Sequence, residues 1–311
     1  MQTLYYGVPQ GSILGPLLFI CYVTGLPLVI PNDGNKICLY ADDTNLIVSG
    51  SSIEQSSNNA LNCIKNFFNR RNLLLNPTKT NLISFKTKQS KSKTELNICI
   101  DEHKLNLSRH SKFLGLIIDE HLSWDLHVDS VLGKMTSGLY AMRKMSKSCS
   151  LKTLKQIYFA LIHSHISYGI SIYGSTKKNN LEKILKLQKK AIRIMLNLKW
   201  KDSVKTFFAE FDILTVYNLY IFETIILTVR LGLQNVASHN YNTRHRLKIE
   251  KHNLEFFKKK TSYMGSKLLK YIPVEIRNLT DHKKFKKALK AYLISHPVYS
   301  IDEFFCPDSA G

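Results

Sequence analysis

Leu39-Tyr40-Ala41-Asp42-Asp43-Thr44 is the stretch on which the reading turns. Two adjacent carboxylates repel each other and need a reason to be together. Ile37–Tyr40 and Asn45–Val48 on either side read as short strands, which leaves Asp42 and Asp43 at the bend between them. Residues along a strand alternate faces, so only a bend lets neighbours converge on one side. Convergence on cations would cancel their repulsion. Oxygen-only ligands with room for water favour Mg²⁺, with Mn²⁺ as the alternative. Two such ions about 3.5–4 Å apart can clamp the attacking and leaving oxygens of an in-line phosphoryl displacement. Taken alone, the hexapeptide reads equally well as a solvated turn.

Working outward, Gly7-Val8-Pro9-Gln10-Gly11-Ser12-Ile13-Leu14-Gly15-Pro16-Leu17-Leu18-Phe19 precedes the pair, with Gly11 lying 31 residues before Asp42. Its glycines let backbone approach a ligand closely, and Gln10 offers an amide with donor and acceptor faces. Such a loop suits a nucleotide or base pair lying against the protein. Pro16 fits the first turn of a helix with Leu17, Leu18, Cys21 and Tyr22 as its expected inner face. Downstream, Ser51 with Glu54 forms a capping-box pattern opening a helix through Leu61, Ile64, Phe67 and Phe68, closed by Asn76-Pro77. Strands are expected at Asn81–Phe85, Leu96–Ile100 and Phe113–Ile118. From about Trp124, expected in the core, the period becomes 3.6 and stays there. Val128, Val131, Leu132, Met135, Leu139 and Met142 form one stripe, and two more follow through Leu154–Ile162 and Leu181–Ile194. The expected architecture is α+β, with an antiparallel sheet and packed helices, followed by an all-helical part, the boundary falling near residue 120.

Charge narrows the partners. Lys+Arg number 44 and Asp+Glu 23, a net charge of +21, distributed as +4, +10 and +7 over residues 1–100, 101–200 and 201–311. An excess of this size points to a polyanion. The outward-facing candidates for phosphate contacts are Lys134, Arg143, Lys144 and Lys147, then Lys183, Lys186, Lys189, Lys190 and Arg193, with later clusters at 258–260 and 283–287. Each lysine alone reads as a solvated helix face; the case is collective. The six cysteines show no CxxC pair or zinc spacing and read as small core residues or thiols in a reducing compartment. His163 and His165 lie on an apolar helix and read as core or surface groups rather than ligands. No signal peptide is recognisable, the apolar run Gly15–Ile30 is short for a bilayer and holds Gly25 and Pro27, and Glu223 and Arg230 interrupt Ile221–Leu233. The expectation is an intracellular soluble protein without membrane contact.

The two stretches around Gln10 and the aspartates resemble the palm motifs of reverse transcriptases, and their wording is most similar to jockey-like non-long-terminal-repeat retrotransposons. Asn76-Pro77-Thr78-Lys79-Thr80 resembles the next palm motif, and Phe113-Leu114-Gly115-Leu116-Ile117-Ile118-Asp119 the primer grip; Tyr241-Asn242-Thr243-Arg244 and the basic stretch from Tyr271 to Leu293 agree more loosely. The resemblance implies a partial palm over residues 1–120, a helical thumb and connection over 121–235 and a basic helical C-terminal region over 236–311. It implies that Asp42 and Asp43 bind two Mg²⁺ ions, that Tyr40 and Ala41 lie beside the primer terminus, and that Pro9, Gln10 and Gly11 face the templating base and incoming nucleotide. Lys79 would protonate departing pyrophosphate, and Phe113, Leu114 and Gly115 would position the primer backbone. The partners implied are an RNA template, an RNA–DNA duplex and deoxynucleoside triphosphates, at work in the nucleus or cytoplasm, and in the nucleus for target-primed synthesis. The family's third metal-binding carboxylate and its fingers are expected ahead of the Gly-Pro-Gln loop and find no counterpart here, so the chain reads as the C-terminal half of a polymerase. The other reading is a non-catalytic remnant that binds nucleic acid.

Overall fold

The computed structural model describes residues 11–31, 34–90, 96–233 and 255–306. The chain divides into two compact units, Met1–Ser111 and Lys112–Gly311. Helices and three separate two-stranded ribbons make up the described residues, rather than one extended sheet.

In the first unit, helix α1 (Gly15–Val23) carries Pro16 in its first turn. The inner face expected from Leu17, Leu18, Cys21 and Tyr22 is not realised, since all four are exposed, while Val23 and Leu26 are buried. A helix apolar all round has no polar face to direct it, so its period cannot choose a side. Strands β1 (Lys36–Tyr40) and β2 (Asp43–Ile47) pair antiparallel. Helix α2 (Ile53–Asn69) supplies Ile64, Phe67 and Phe68, which with Leu26 form the core against which Ile37, Leu39 and Leu46 pack. The capping box does not form. Ser52 holds the cap position without a side-chain bond, and Glu54 instead accepts from the Asn97 N–H, 43 residues away. The helix ends at Asn69, well before Asn76-Pro77. The Asn81–Phe85 segment is irregular apart from one bridge between Leu82 and Leu107, and only Cys99–Ile100 of the next expected strand is β3, paired with β4 (His103–Lys104).

The second ribbon of interest, β5 (His110–Phe113) with β6 (Leu116–Asp119), replaces the single strand expected over Phe113–Ile118. Leu114 and Gly115 form its two-residue loop, both with positive φ, +44° and +84°. That pairing matches the twist of the flanking strands. The helical unit follows with α3 (Asp125–Met145), α4 (Leu151–Tyr158), a π-helical turn Phe159–His163, α5 (Ser164–Ser167), α6 (Ile170–Tyr173), α7 (Lys178–Leu196), α8 (Lys205–Glu210), α9 (Val216–Arg230), α10 (Thr261–Leu269), α11 (Val274–Arg277), α12 (His282–Ser295) and α13 (Ile301–Phe305). The three apolar stripes read from the sequence supply its core. Val128, Met135, Met142, Leu154, Ile162, Leu181, Ile184 and Ala191 are all buried in one cluster, joined by Trp124 and by most of α9.

A few polar side chains tie this core together. Gln188 on α7 is fully buried, yet every group of its amide is paired: Nε2 donates to the Tyr158 hydroxyl and the Leu214 carbonyl, and Oε1 accepts from the Val216 N–H at the start of α9. Asn218 on α9 donates to the Leu293 and His296 carbonyls. Helices α9 and α10 touch closely at Gly265, where a β-carbon would stand 1.9 Å from the Thr228 Oγ1. Gly265→Ala is therefore expected to lower unfolding stability by about 1–3 kcal/mol through overpacking, read as a lower urea midpoint.

Candidate functional site

The β1–β2 hairpin positions the acidic pair. Its register sets Tyr40 opposite Asp43 and Cys38 opposite Asn45, leaving Ala41 and Asp42 as the loop. Because Ile37, Leu39 and Leu46 face the core, alternation turns Tyr40 and Asp43 outward, and Tyr40 is 63% exposed. Asp42 and Asp43 are both exposed, and among the described residues no ion pair or hydrogen bond engages either carboxylate. Ala41 sits at φ +51°, in the left-handed region where a β-carbon costs about 1–2 kcal/mol. Only the first of the two loop residues has positive φ, a conformation that glycine adopts most easily. Two unpaired carboxylates with oxygen donors only fit Mg²⁺, which takes one or two carboxylates and completes its shell with water and substrate phosphate. No cluster of three or more His, Cys, Asp or Glu able to hold a metal occurs among the described residues.

The other sequence-derived residues fall as follows. Pro9 and Gln10 lie outside the described residues, as does Tyr241–Arg244. Gly11 has φ +86°, backbone that glycine adopts without strain. Lys79 ends a 3₁₀ turn, Pro77–Lys79, that is built by Asn76, whose side chain accepts from the N–H groups of Thr78 and Lys79. Its own side chain is exposed and makes no ion pair with either aspartate. Phe113 closes β5, and Leu114 and Gly115 turn the chain. Tyr168 clamps that turn: its hydroxyl donates to the Leu114 carbonyl, and its ring lies where a β-carbon on Gly115 would come within 3.1 Å.

Just beyond the turn, Asp119 organises the entry to α3. Its carboxylate accepts from the N–H groups of His121, Ser123 and Trp124 and from the Ser123 hydroxyl. Burial works against its charge, but those donors prevail and hold its carboxyl below the usual range. They stabilise a loop in which Leu122 and Trp124 both take positive φ. Asp125 then accepts from Lys177 at 2.8 Å and Asn180 at 2.7 Å, joining α3 to α7. Against the opposing effect of burial, these bonds lower its pKa to about 2. The buried His127 ring, stacked edge-on with Trp124 and Tyr173, accepts at Nδ1 from the Ile117 N–H. Burial, with Lys134 nearby, depresses its pKa and keeps it neutral. Asp119 belongs to the motif quoted from the sequence, but its supporting role there is unassigned. The signal that could have found it is an acidic residue ending a strand with Ser123 four positions on, an Asx-turn pattern.

Lys134, Arg143 and Lys144 are exposed on α3, as are Lys147 just beyond it and Lys183, Lys186 and Lys190 on α7. Two expected members of the α7 face are otherwise engaged. Lys189 is half-buried with its ammonium 3.6 Å from the Tyr299 ring centroid, and Arg193 donates to the Asp202 carbonyl. Burial, Arg193 and Lys205 together lower the Lys189 pKa against the opposing pull of Glu303. His163 sits on the π-helical turn, where burial takes its pKa down to about 4.

Residues 2–118 match the family model for reverse transcriptase (RNA-dependent DNA polymerase). Among curated proteins it is similar to the RNA-directed DNA polymerase from mobile element jockey of Drosophila melanogaster, 24% identical over 209 residues, covering 62% of this chain and 22% of the relative. The probable RNA-directed DNA polymerase from transposon BS of the same species is 28% identical over 223 residues, covering 68% of this chain and 24% of the relative. A Pol polyprotein from the type-1 retrotransposable element R1 of Nasonia vitripennis is 22% identical over 203 residues, 62% of this chain and 60% of that protein. The chain thus spans about a quarter of the length of the jockey and BS relatives it matches. No solved structure matches it significantly. Among the described residues no helix is long and apolar enough to cross a membrane.

Asp119→Ala removes the acceptor of three N–H groups and is expected to destabilise the chain by about 1–3 kcal/mol. Because its folded pKa lies below the unfolded value, its contribution is full above about pH 4 and is lost as pH falls through the folded pKa. The stability gap between parent and variant, followed by urea titration, should therefore narrow in acid.

Proposed function

We propose that this chain contributes the aspartate-bearing palm segment and the basic helical thumb of a retrotransposon RNA-directed DNA polymerase. The observation that carries the reading is the pair Asp42-Asp43, exposed at the turn of the β1–β2 hairpin and without an ion pair among the described residues, inside the stretch that matches the family model. In this reading residues 1–120 are partial palm, 121–235 thumb and connection, and 236–311 a basic C-terminal region. The substrates are an RNA template, an RNA–DNA duplex and deoxynucleoside triphosphates, and target-primed synthesis would place the work in the nucleus.

Asp42 and Asp43 would hold the divalent ions. Bound there, Mg²⁺ supplies charge stabilisation to the oxygens of the transferring phosphoryl group. Everything else falls to the protein. Tyr40 and the strained Ala41 border the primer terminus, and Pro9, Gln10 and Gly11 line the templating base and nucleotide. Lys79, which makes no ion pair among the described residues, gives a proton to departing pyrophosphate. The Phe113–Gly115 turn, held by Tyr168, fixes the primer backbone, so that positioning lowers the barrier. Lys134, Arg143, Lys144, Lys186 and Lys190 contact phosphates without reading sequence.

The test fuses residues 1–311 behind the upstream portion of a jockey-type polymerase and follows primer extension on RNA. The fusion should extend the primer, and the bare chain should not. Asp42→Asn should cut extension by about 10³-fold, several kcal/mol of lost charge stabilisation, while leaving duplex affinity nearly unchanged. Extension that survives Asp42→Asn would remove the metal assignment. Duplex binding with no extension by the fusion would favour the non-catalytic reading.

A further inference from the structure

Helix α12 lies outside residues 2–118, the stretch that matches the family. Lys283, Lys286, Lys287 and Lys290 follow one another at i, i+3, i+4 and i+7 along it, which sets all four on one stripe roughly 10 Å long. All four are exposed, and no ion pair among the described residues involves any of them. The helix itself contains no acidic residue; Asp281 stands before it as the cap, accepting from the Lys283 and Lys284 N–H groups. Glu223 on α9 lies close enough to feel Lys286 and is half-buried, so a single carboxylate stands against a row of four ammonium groups. At the other end Lys290 faces His163, which burial holds neutral. Lysines three and four apart repel one another on a helix surface. The fold thus maintains a row of four like charges that no ion pair among the described residues neutralises and that one half-buried carboxylate faces.

The packing of α12 decides what could offset it. Phe285, Leu289 and Leu293 are buried in the helical core and contact neighbouring helices including α9, so the helix has no free apolar face to enter a lipid surface. Nor does the stripe carry an exposed aromatic on which unpaired bases could stack: Phe285 is buried, and Tyr292 is half-buried against His296, 4.6 Å between ring centroids. A rigid row of ammonium groups without stacking platforms suits the regularly spaced phosphates of a duplex.

We propose that the Lys283–Lys286–Lys287–Lys290 stripe of α12 is a second docking surface for the phosphate backbone of a nucleic-acid duplex, additional to the lysines of α3 and α7. It rests on the polymerase reading only for the choice of nucleic acid over an acidic protein, and it requires no catalysis. Contacts of this kind are sequence-independent and lost with salt, each worth about 0.9 in the log–log slope.

The experiment measures binding of the full chain to an RNA–DNA duplex by fluorescence anisotropy across a salt series. It compares the parent with K283Q/K286Q/K287Q/K290Q, with the corresponding four-arginine variant, and with K186Q/K190Q on α7. Circular dichroism confirms that each remains folded. The glutamine variant should show a salt slope shallower by about 3–4 and an affinity at least ~100-fold weaker at 0.1 M salt, and the arginine variant should restore both. K186Q/K190Q should lose slope independently, with the α12 contribution intact. A glutamine variant that binds like the parent would overturn the α12 surface while leaving the polymerase reading standing. A parent that binds no duplex would overturn both. Preference of the stripe for a single strand, or for vesicles containing phosphatidylserine over duplex, would also overturn it.

Discussion

The packing of Ile37, Leu39 and Leu46 against Leu26, Ile64, Phe67 and Phe68 is the contact on which the candidate site depends. Strand residues alternate faces, so burying these three forces Tyr40 and Asp43 to the opposite side. A slip of one residue in register would send the carboxylate of Asp43 toward the phenylalanines, where an unpaired charge is prohibitively expensive. The acidic residues thus act as a lock on the register while the apolar ones set it. Ala41 completes the geometry at a cost. Its left-handed backbone persists because the strands on both sides over-determine the loop, and strain of this kind concentrates at functional sites.

The helical unit solves a different problem. Residues 112–311 hold 33 Lys and Arg against 16 Asp and Glu, so the unit carries most of the chain's positive charge. Self-repulsion of that size must be countered by a dense interior. The interior is apolar, and a few buried or half-buried polar side chains hold helices and loops together. Gln188 satisfies the start of α9, Asn218 satisfies the end of α12, and Asp119 satisfies the loop that launches α3. With α3, α7 and α12 fixed in this way, desolvation drives most of their lysines outward. The exposed rows are a consequence of core packing, and they are presented on rigid elements.

What the sequence disclosed and what it hid follow from the range of the interactions. The aspartate bend was legible because it is local, two short strands around a polar pair, and the stripes of α3, α4 and α7 were legible because a period of 3.6 is written in consecutive residues. The break at Leu114-Gly115 was not, since hairpin loops with two positive φ values usually advertise themselves with Asn-Gly or Asp-Gly. Leucine is held there by Tyr168, 54 residues away, and no local pattern announces that. Glu54 looked like the partner of Ser51 and turned to Asn97 instead. The face of α1 was unreadable for the opposite reason: with apolar residues on every side, no direction is favoured. At the candidate site the residue types were readable, while the supports were less so: Tyr168 and Gln188 act across long stretches of chain, and Asp119, though it acts within five residues, left only an Asx-turn pattern as a signal.

The same distinction separates lysines that are available from lysines that merely look so. Lys183, Lys186, Lys189, Lys190 and Arg193 are equivalent in sequence, yet Lys189 lies on Tyr299 and Arg193 on the Asp202 carbonyl, so the run serves two ends. The aspartate pair benefits from the reverse arrangement. A carboxylate that is to hold a metal must not be neutralised by a neighbouring ammonium, and among the described residues no cation pairs with either aspartate, while two cations of the first unit are occupied elsewhere. Lys65 pairs with Asp101, and Arg71 covers the Phe67 ring and donates to the Tyr22 carbonyl. Lys79 stands on a separate 3₁₀ turn built by Asn76. Asp42 and Asp43 are thereby left with their mutual repulsion unrelieved, in a solvated loop where a hard divalent cation can relieve it. Among the described residues unpaired charge is retained on both units, negative at a turn and positive along helices, and in the proposed reading the compensating charge in each case is supplied by a ligand.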